Sequence, residues 1–243
     1  VYFTPFSKVV HHEGISHGTD TGSGIKAYQV ANQAKFRERW AKELDAHYPN
    51  GEQVARARDR AWDRPVVLVV DHYVPQPDRD AGSRTMFAFL ERLLDAGCVV
   101  KFWPDNLHYD PQYAPRLQAM GIEVLHGPRW LGGIGALVEA CGDIFDAVLL
   151  SRPDVAEHHL AAIRAHSRAR VVYYGHDLHF RRMQDQAALL DDGAARDALQ
   201  REAASMEARE RAIWRGVDAV LYPSADEADA VRALEPDVDA RAV

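Results

Sequence analysis

The chain has little cysteine, no basic block and no long apolar run, and each shortage closes a class of function. Only Cys98 and Cys141 occur in 243 residues, too few for a disulfide framework. Both lie in or beside apolar segments and read as buried thiols in a reducing compartment. The longest apolar runs, such as residues 66–70, fall far short of the roughly 20 residues that a membrane-spanning helix needs. No stretch reads as a signal peptide. The formal net charge is −7, with both signs spread along the chain, so nucleic acid is not an expected partner.

Two glycine motifs are missing as well. Gly22-Ser23-Gly24 and Gly132-Gly133-Ile134-Gly135 are glycine-rich, but neither supplies Gly-x-Gly-x-x-Gly directly after a strand. That excludes the dinucleotide fingerprint and speaks against an epimerase or dehydrogenase. A phosphate-cradling Gly-x-x-x-x-Gly-Lys-Ser/Thr loop, an internal repeat and a low-complexity tract are absent too. The chain opens at Val1 without a Met and stops at Val243; both ends read as cut from something longer.

An apolar content of 47% over this length suits one medium α/β domain with an appendage. Residues 1–10 read as a strand and 25–46 as a helix, with Tyr28, Phe36, Trp40 and Leu44 at helical spacing. Tyr48-Pro49-Asn50-Gly51 is a turn signal, and the charged stretch to residue 64 reads as a linker with helical potential. From Pro65 onward, short continuous apolar runs alternate with amphipathic segments. The runs at 66–71, 99–103, 122–125, 147–151, 171–174 and 219–222 are expected strands of a parallel sheet covered on both faces. Helices are expected at 83–96, 112–119, 131–140, 155–165, 194–214 and 225–234. Gly97 sits where a helix C-terminal glycine belongs, and Ser224 with Glu227 forms a capping box. This β-α-β alternation predicts a Rossmann-like, doubly wound sheet with strand order 3-2-1-4-5-6. Its ligand crevice would lie at the strands' carboxyl ends, lined by loops 72–83 and 152–154.

Three polar constellations stand out. The long segment 71–83 ends in Asp80-Ala81-Gly82-Ser83, where helix-start N–H groups can meet a hydroxyl-rich or anionic ligand; Asp80 and Ser83 can equally serve only as a helix cap. Tyr174-Gly175-His176-Asp177-Leu178-His179-Phe180-Arg181-Arg182 gathers imidazoles, a carboxylate and guanidiniums beside the same crevice. A His there can orient a sugar hydroxyl or relay a proton, and a purely structural role is the alternative. His11-His12-Glu13-Gly14-Ile15-Ser16-His17 lacks the second His four residues after the first that a zinc protease requires. One of its histidines as a ligand for a divalent cation stays open.

Two stretches carry a family resemblance. Tyr2-Phe3-Thr4-Pro5-Phe6-Ser7-Lys8-Val9-Val10-His11-His12-Glu13-Gly14-Ile15-Ser16 resembles the closing segment of family 2 glycosyltransferase domains of the GT-A fold. Residues 65–243 resemble the N-terminal, acceptor-side half of group 1 glycosyltransferases of the GT-B fold. The features that carry it are Val67-Leu68-Val69-Val70-Asp71-His72-Tyr73-Val74-Pro75, the Asp80-Ala81-Gly82-Ser83 helix start, Gly175-His176-Asp177-Leu178-His179 and Val217-Asp218-Ala219-Val220-Leu221-Tyr222-Pro223-Ser224. Gly82-Ser83 stands where many relatives carry Gly-Gly.

The resemblance implies a domain plan of 1–48 as a GT-A tail, 49–64 as linker and 65–243 as the GT-B half. It implies transfer of a sugar from a nucleotide-sugar donor to a hydroxyl of a glycan or lipid-linked glycan in polysaccharide or O-antigen-type synthesis. His176 would be catalytic, and Asp80, Gly82, Ser83, Asp177, His179 and Arg181 would bind substrate. His11, with His12 as the near alternative, would ligate Mn²⁺ or Mg²⁺ in the GT-A domain, while the GT-B domain would need no cofactor. The flanking domains would belong to the same chain and the location would be cytoplasmic, with a peripheral place at the inner membrane open to it. The alternative is a non-catalytic Rossmann-like interaction domain of a glycan-synthesis assembly.

Overall fold

The computed structural model describes residues 8–10, 12, 18–59 and 61–243. It divides into two compact units, residues 1–53 and 54–243. In the first, a 3₁₀ turn at Gly24–Lys26 leads into α1 (Ala27–Arg39) and α2 (Ala41–Leu44). The expected apolar stripe does form one helical series, yet Tyr28, Phe36, Trp40 and Leu44 are all exposed. The strand expected at residues 1–10 lies largely outside the described residues.

The second unit opens with α3 (Val54–Arg58) and then builds the sheet. The strands are β1 (Val66–Asp71), β2 (Val99–Pro104), β3 (Glu123–Val124), β4 (Ala147–Ser151), β5 (Arg170–Tyr174), β6 (Ala219–Tyr222) and β7 (Ala240–Ala242). Between them run α4 (Ala81–Asp95), α5 (Ala114–Ala119), α6 (Gly133–Cys141), α7 (Pro153–His166), α8 (His179–Ala188), α9 (Ala194–Gly216) and α10 (Ala225–Leu234). All seven strands form one open sheet in the order β3-β2-β1-β4-β5-β6-β7. Every neighbouring pair is parallel. The expected Rossmann-like order is therefore present, extended by β7 beyond β6.

The reason is legible in β1. All six of its residues are buried, because both faces of the sheet are covered near it. Val66, Leu68 and Val70 pack into one core with α6, α7, α9 and α10. Val67 and Val69 pack into another with α4 and α5. Each fully buried Val or Leu contributes about 1.5–3 kcal/mol, so register is fixed by the two cores together. After β1 the chain steps outward through β2 and β3, then returns to place β4 on the other side of β1. The crevice of such a sheet lies at the carboxyl ends of β1 and β4, where the winding direction reverses.

Local stops match the chemistry of their residues. Gly97 holds φ +83, a left-handed conformation that ends α4 without a Cβ penalty. Ser224 accepts from the Glu227 N–H, which caps the start of α10, and donates its hydroxyl to the Glu227 carboxylate. Cys98 is buried and Cys141 half-buried, both as free thiols. No helix among the described residues is long and apolar enough to cross a membrane.

Candidate functional site

The carboxyl ends of β1, β4 and β5 bring three polar side chains together. Asp71 closes β1 and is buried, with 1% of its surface exposed. Its Oδ1 accepts from the Arg152 Nε at 2.9 Å and the His72 backbone N–H at 2.8 Å, and lies 3.0 Å from the His72 Nδ1. Burial opposes the charge on Asp71, but the hydrogen bond with His72 and the nearby Arg152 outweigh it, and its pKa stays below the usual carboxylate range.

Arg152 sits between β4 and α7 at φ +72. For a residue with a side chain this conformation costs about 1–3 kcal/mol, and such strain gathers at sites. The turn is held by the Arg152 N–H donating to the Tyr174 carbonyl and by the ion pair with Asp71. Pro153 fixes the first helical position after it.

His176 follows β5, and its Nε2 shares a 2.9 Å hydrogen bond with Ser151 Oγ. Burial first, and the positive charge of Arg152 second, push its pKa down to about 4. At neutral pH it is an uncharged imidazole. Gly175 before it has no room for a side chain, because a Cβ would fall 2.2 Å from the Tyr222 ring.

Gly82 completes the floor from α4. A Cβ there would lie 2.7 Å from an Arg152 guanidinium nitrogen and 3.2 Å from His176 Cε1. Loops 72–83 and 175–182 thus meet at one edge, as expected. Asp80 is the N-cap of α4: its carboxylate accepts from the Ser83 N–H, the Ser83 hydroxyl and the Tyr73 hydroxyl. Those bonds outweigh its partial burial and lower its pKa. Asp80 and Ser83 are therefore engaged with each other.

The rest of the expected set forms a neighbouring group. His179 Nδ1 lies 3.0 Å from an Asp177 carboxylate oxygen and 3.6 Å from Glu210. Burial works against its charge, but the hydrogen bonds with Asp177 and Glu210 raise its pKa to about 9. Asp177, held low chiefly by the His179 hydrogen bond, also pairs with Arg182. Arg181 is exposed on the first turn of α8. His11, expected to ligate a metal, lies outside the described residues.

Sequence reading alone did not single out Asp71, Ser151, Arg152 or Glu210. Asp71 could have been found as the one charged residue ending an otherwise apolar strand. Glu210, fully buried in α9, binds the N–H groups of His179 and Phe180 and the Tyr222 hydroxyl. Nothing in its arginine- and glutamate-rich surroundings marked it.

No protein-family model matches the chain, and no curated protein matches it. Among solved structures, LpCGTa in complex with UDP aligns at a TM-score of 0.48 and 16% identity, over 74% of this chain and 50% of that one. A Burkholderia multivorans protein named as a short-chain alcohol dehydrogenase aligns at 0.42 and 13%, over 74% and 96%. The GsuK RCK domain aligns at 0.32 and 11%, over 54% and 23%. This chain thus spans half of LpCGTa and less than a quarter of the GsuK chain. At these scores the likenesses add nothing to what the strand order already establishes.

Proposed function

We propose that residues 65–243 are the acceptor-side half of a GT-B-type glycosyltransferase that moves a sugar from a nucleotide donor to a glycan hydroxyl. Residues 1–48 would be the tail of a GT-A domain, and the expected link of 49–64 would run into the sheet's own unit, which begins at residue 54. One observation supports the acceptor side above all: the charges of the crevice are already neutralised within it. Arg152 is paired with Asp71, Arg182 with Asp177, and His179 with Asp177 and Glu210. A diphosphate would have to break those pairs, whereas a glycan hydroxyl needs only donors and acceptors. Neutral His176, steadied from behind by the buried Ser151 hydroxyl, and the half-buried backbone at Gly82 offer them.

In this reading His176 orients the attacking hydroxyl. A base of pKa about 4 is well below the neutral optimum for proton abstraction. It would take the hydroxyl proton late, once the new bond to the sugar has made that proton acidic. The same weak basicity favours a second reading, a non-catalytic glycan-binding module.

The test is to titrate the chain with oligosaccharides and with nucleotide sugars, following the His176 ring resonances by NMR. The expected result is that oligosaccharides shift those resonances and nucleotide sugars shift them far less, with no sugar transfer by this chain alone. Saturable nucleotide-sugar binding at His176, with oligosaccharides inert, would reverse the assignment of the crevice. In the protein with both halves of the cleft, His176→Ala should lower turnover while leaving oligosaccharide binding within about tenfold, and unchanged turnover would favour the binding module.

A further inference from the structure

A second cluster hangs from the same sheet edge without sharing a residue with the crevice. Asp105 follows β2, and its backbone N–H donates to the carbonyl of Asp71. His158 and His159 are consecutive on α7. Asp105 Oδ1 lies 2.6 Å from His159 Nε2 and 3.3 Å from His158 Nδ1. The two rings stack with centroids 4.2 Å apart. Among the described residues this is the one group of three His, Cys, Asp or Glu side chains whose ligand atoms converge, all lying within 4.8 Å of one another.

The cluster forms part of the wall of a 330 Å³ cavity that Trp103, Leu107 and the Gly132–Gly135 turn also line. Gly133 holds φ +75, and a Cβ there would meet nothing within 4 Å, so open space lies beside the turn. Trp103 is 1% exposed, and its Nε1 has no partner among the described residues.

We propose that Asp105, His158 and His159 bind a zinc-class divalent ion whose fourth position opens to this cavity. Two imidazoles and one carboxylate with a free position are the donor set of an open zinc site. Imidazole suits this ion class, whereas Mg²⁺ and Ca²⁺ want oxygen alone. The spacing agrees. Metal–ligand bonds of about 2.0–2.2 Å at tetrahedral angles put ligand atoms about 3.3 Å apart, which is the Asp105–His158 distance. The shorter Asp105–His159 contact is a hydrogen bond, and it opens by about 0.7 Å when the ion replaces its proton. The two rings stack near parallel, so the exposed His158 ring turns out of the stack to bring both in-plane lone pairs onto one ion. The free position faces the cavity, which leaves room for an exchangeable water.

The experiment uses the purified full chain and Co²⁺, whose visible absorption is strong when four-coordinate and weak when six-coordinate. About one Co²⁺ per chain should give the strong bands, and Zn²⁺ should displace it while Mg²⁺ should not. His158 is 68% exposed, so His158→Ala keeps the fold and should weaken uptake at least about tenfold. Asp105→Asn, which keeps the side-chain shape, should do the same. The chain carries twelve histidines, so location matters as much as uptake. Strong bands that survive in both variants would place the ion elsewhere and overturn the proposal. No Co²⁺ uptake by the unaltered chain would overturn it as well, leaving the cluster as a hydrogen-bonded pair on a carboxylate.

Discussion

At the scale of single residues, Gly82 and His176 carry the sharpest consequences. A valine at position 82 would drive its Cβ into Arg152 and His176, while the residue itself is only half-buried at the start of α4. Gly82→Val should therefore cost about 1–2 kcal/mol of stability, and under the proposed acceptor reading it should weaken oligosaccharide binding at least about tenfold. Calorimetric titration beside thermal melts separates the two, and equal losses in both would mean general misfolding. The two histidines set opposite limbs of a pH profile. His176 falls to about 4 on folding from an ordinary 6.5. Between those values the unfolded chain holds a proton that the fold refuses, so stability drops as pH falls through this window. His179 rises to about 9; its contribution is complete below about 6.5 and is lost as pH climbs through 9. Urea midpoints should peak near neutrality. His176→Asn should flatten the limb from 4.5 to 6.5 and His179→Gln the limb from 7 to 9, and identical curves in all three proteins would refute the assignment. Of these groups the sequence named His176, His179 and Gly82, and it placed Arg152 only within the crevice loop 152–154, with no role of its own. Its importance comes from a backbone turn and a partner 81 residues away, and neither leaves a mark in local spacing.

At the scale of elements, the apolar strands announced themselves and the polar exceptions did not. Lys101 lies in the middle of β2 with 2% exposure, held by Asp59 at 2.5 Å and Glu123 at 2.6 Å. Arg58 contacts both carboxylates. Burying an ion group is costly, so the pairing is asymmetric. Lys101→Met should stay within about 1 kcal/mol of the parent, because a similar apolar volume replaces the cation and Arg58 still serves both acids. Removing both acids as alanines strands the lysine and should cost about 3–5 kcal/mol. Urea denaturation of the two variants decides it; the reverse ranking would show that the triad is a net source of stability. Two elements escaped the sequence. The α8 helix was read as part of a loop, because Phe180 and Ala187 are its only buried residues. β7 is three residues long with one buried, and only its pairing beside β6 defines it.

At the scale of the whole molecule, strand order was legible because continuous apolar runs and intervening amphipathic helices allow few parallel topologies. The limits of the folded body were harder to see, since residues 49–64 are charged and carry a turn signal. Within that stretch, Ala61 is 1% exposed in the larger core, Asp59 meets Lys101, and the Arg64 guanidinium donates to the carbonyls of Gly97 and Cys98. These contacts belong to the unit that starts at residue 54. Two truncations should therefore behave differently. A chain beginning at residue 54 keeps every one of these contacts and should unfold cooperatively, at the midpoint shown by the sheet in the full chain. A chain beginning at residue 65 loses Asp59 and Ala61 together, which leaves Lys101 short of a carboxylate and opens a gap in the larger core. A loss of about 3 kcal/mol follows from a buried lysine left with Glu123 alone and from the missing apolar contact. For a sheet of this size that corresponds to a midpoint lower by roughly 6–12 °C. Circular dichroism melts of the three chains make the comparison directly. Equal midpoints for the chains starting at 54 and 65 would restore residues 54–64 to the role of a linker.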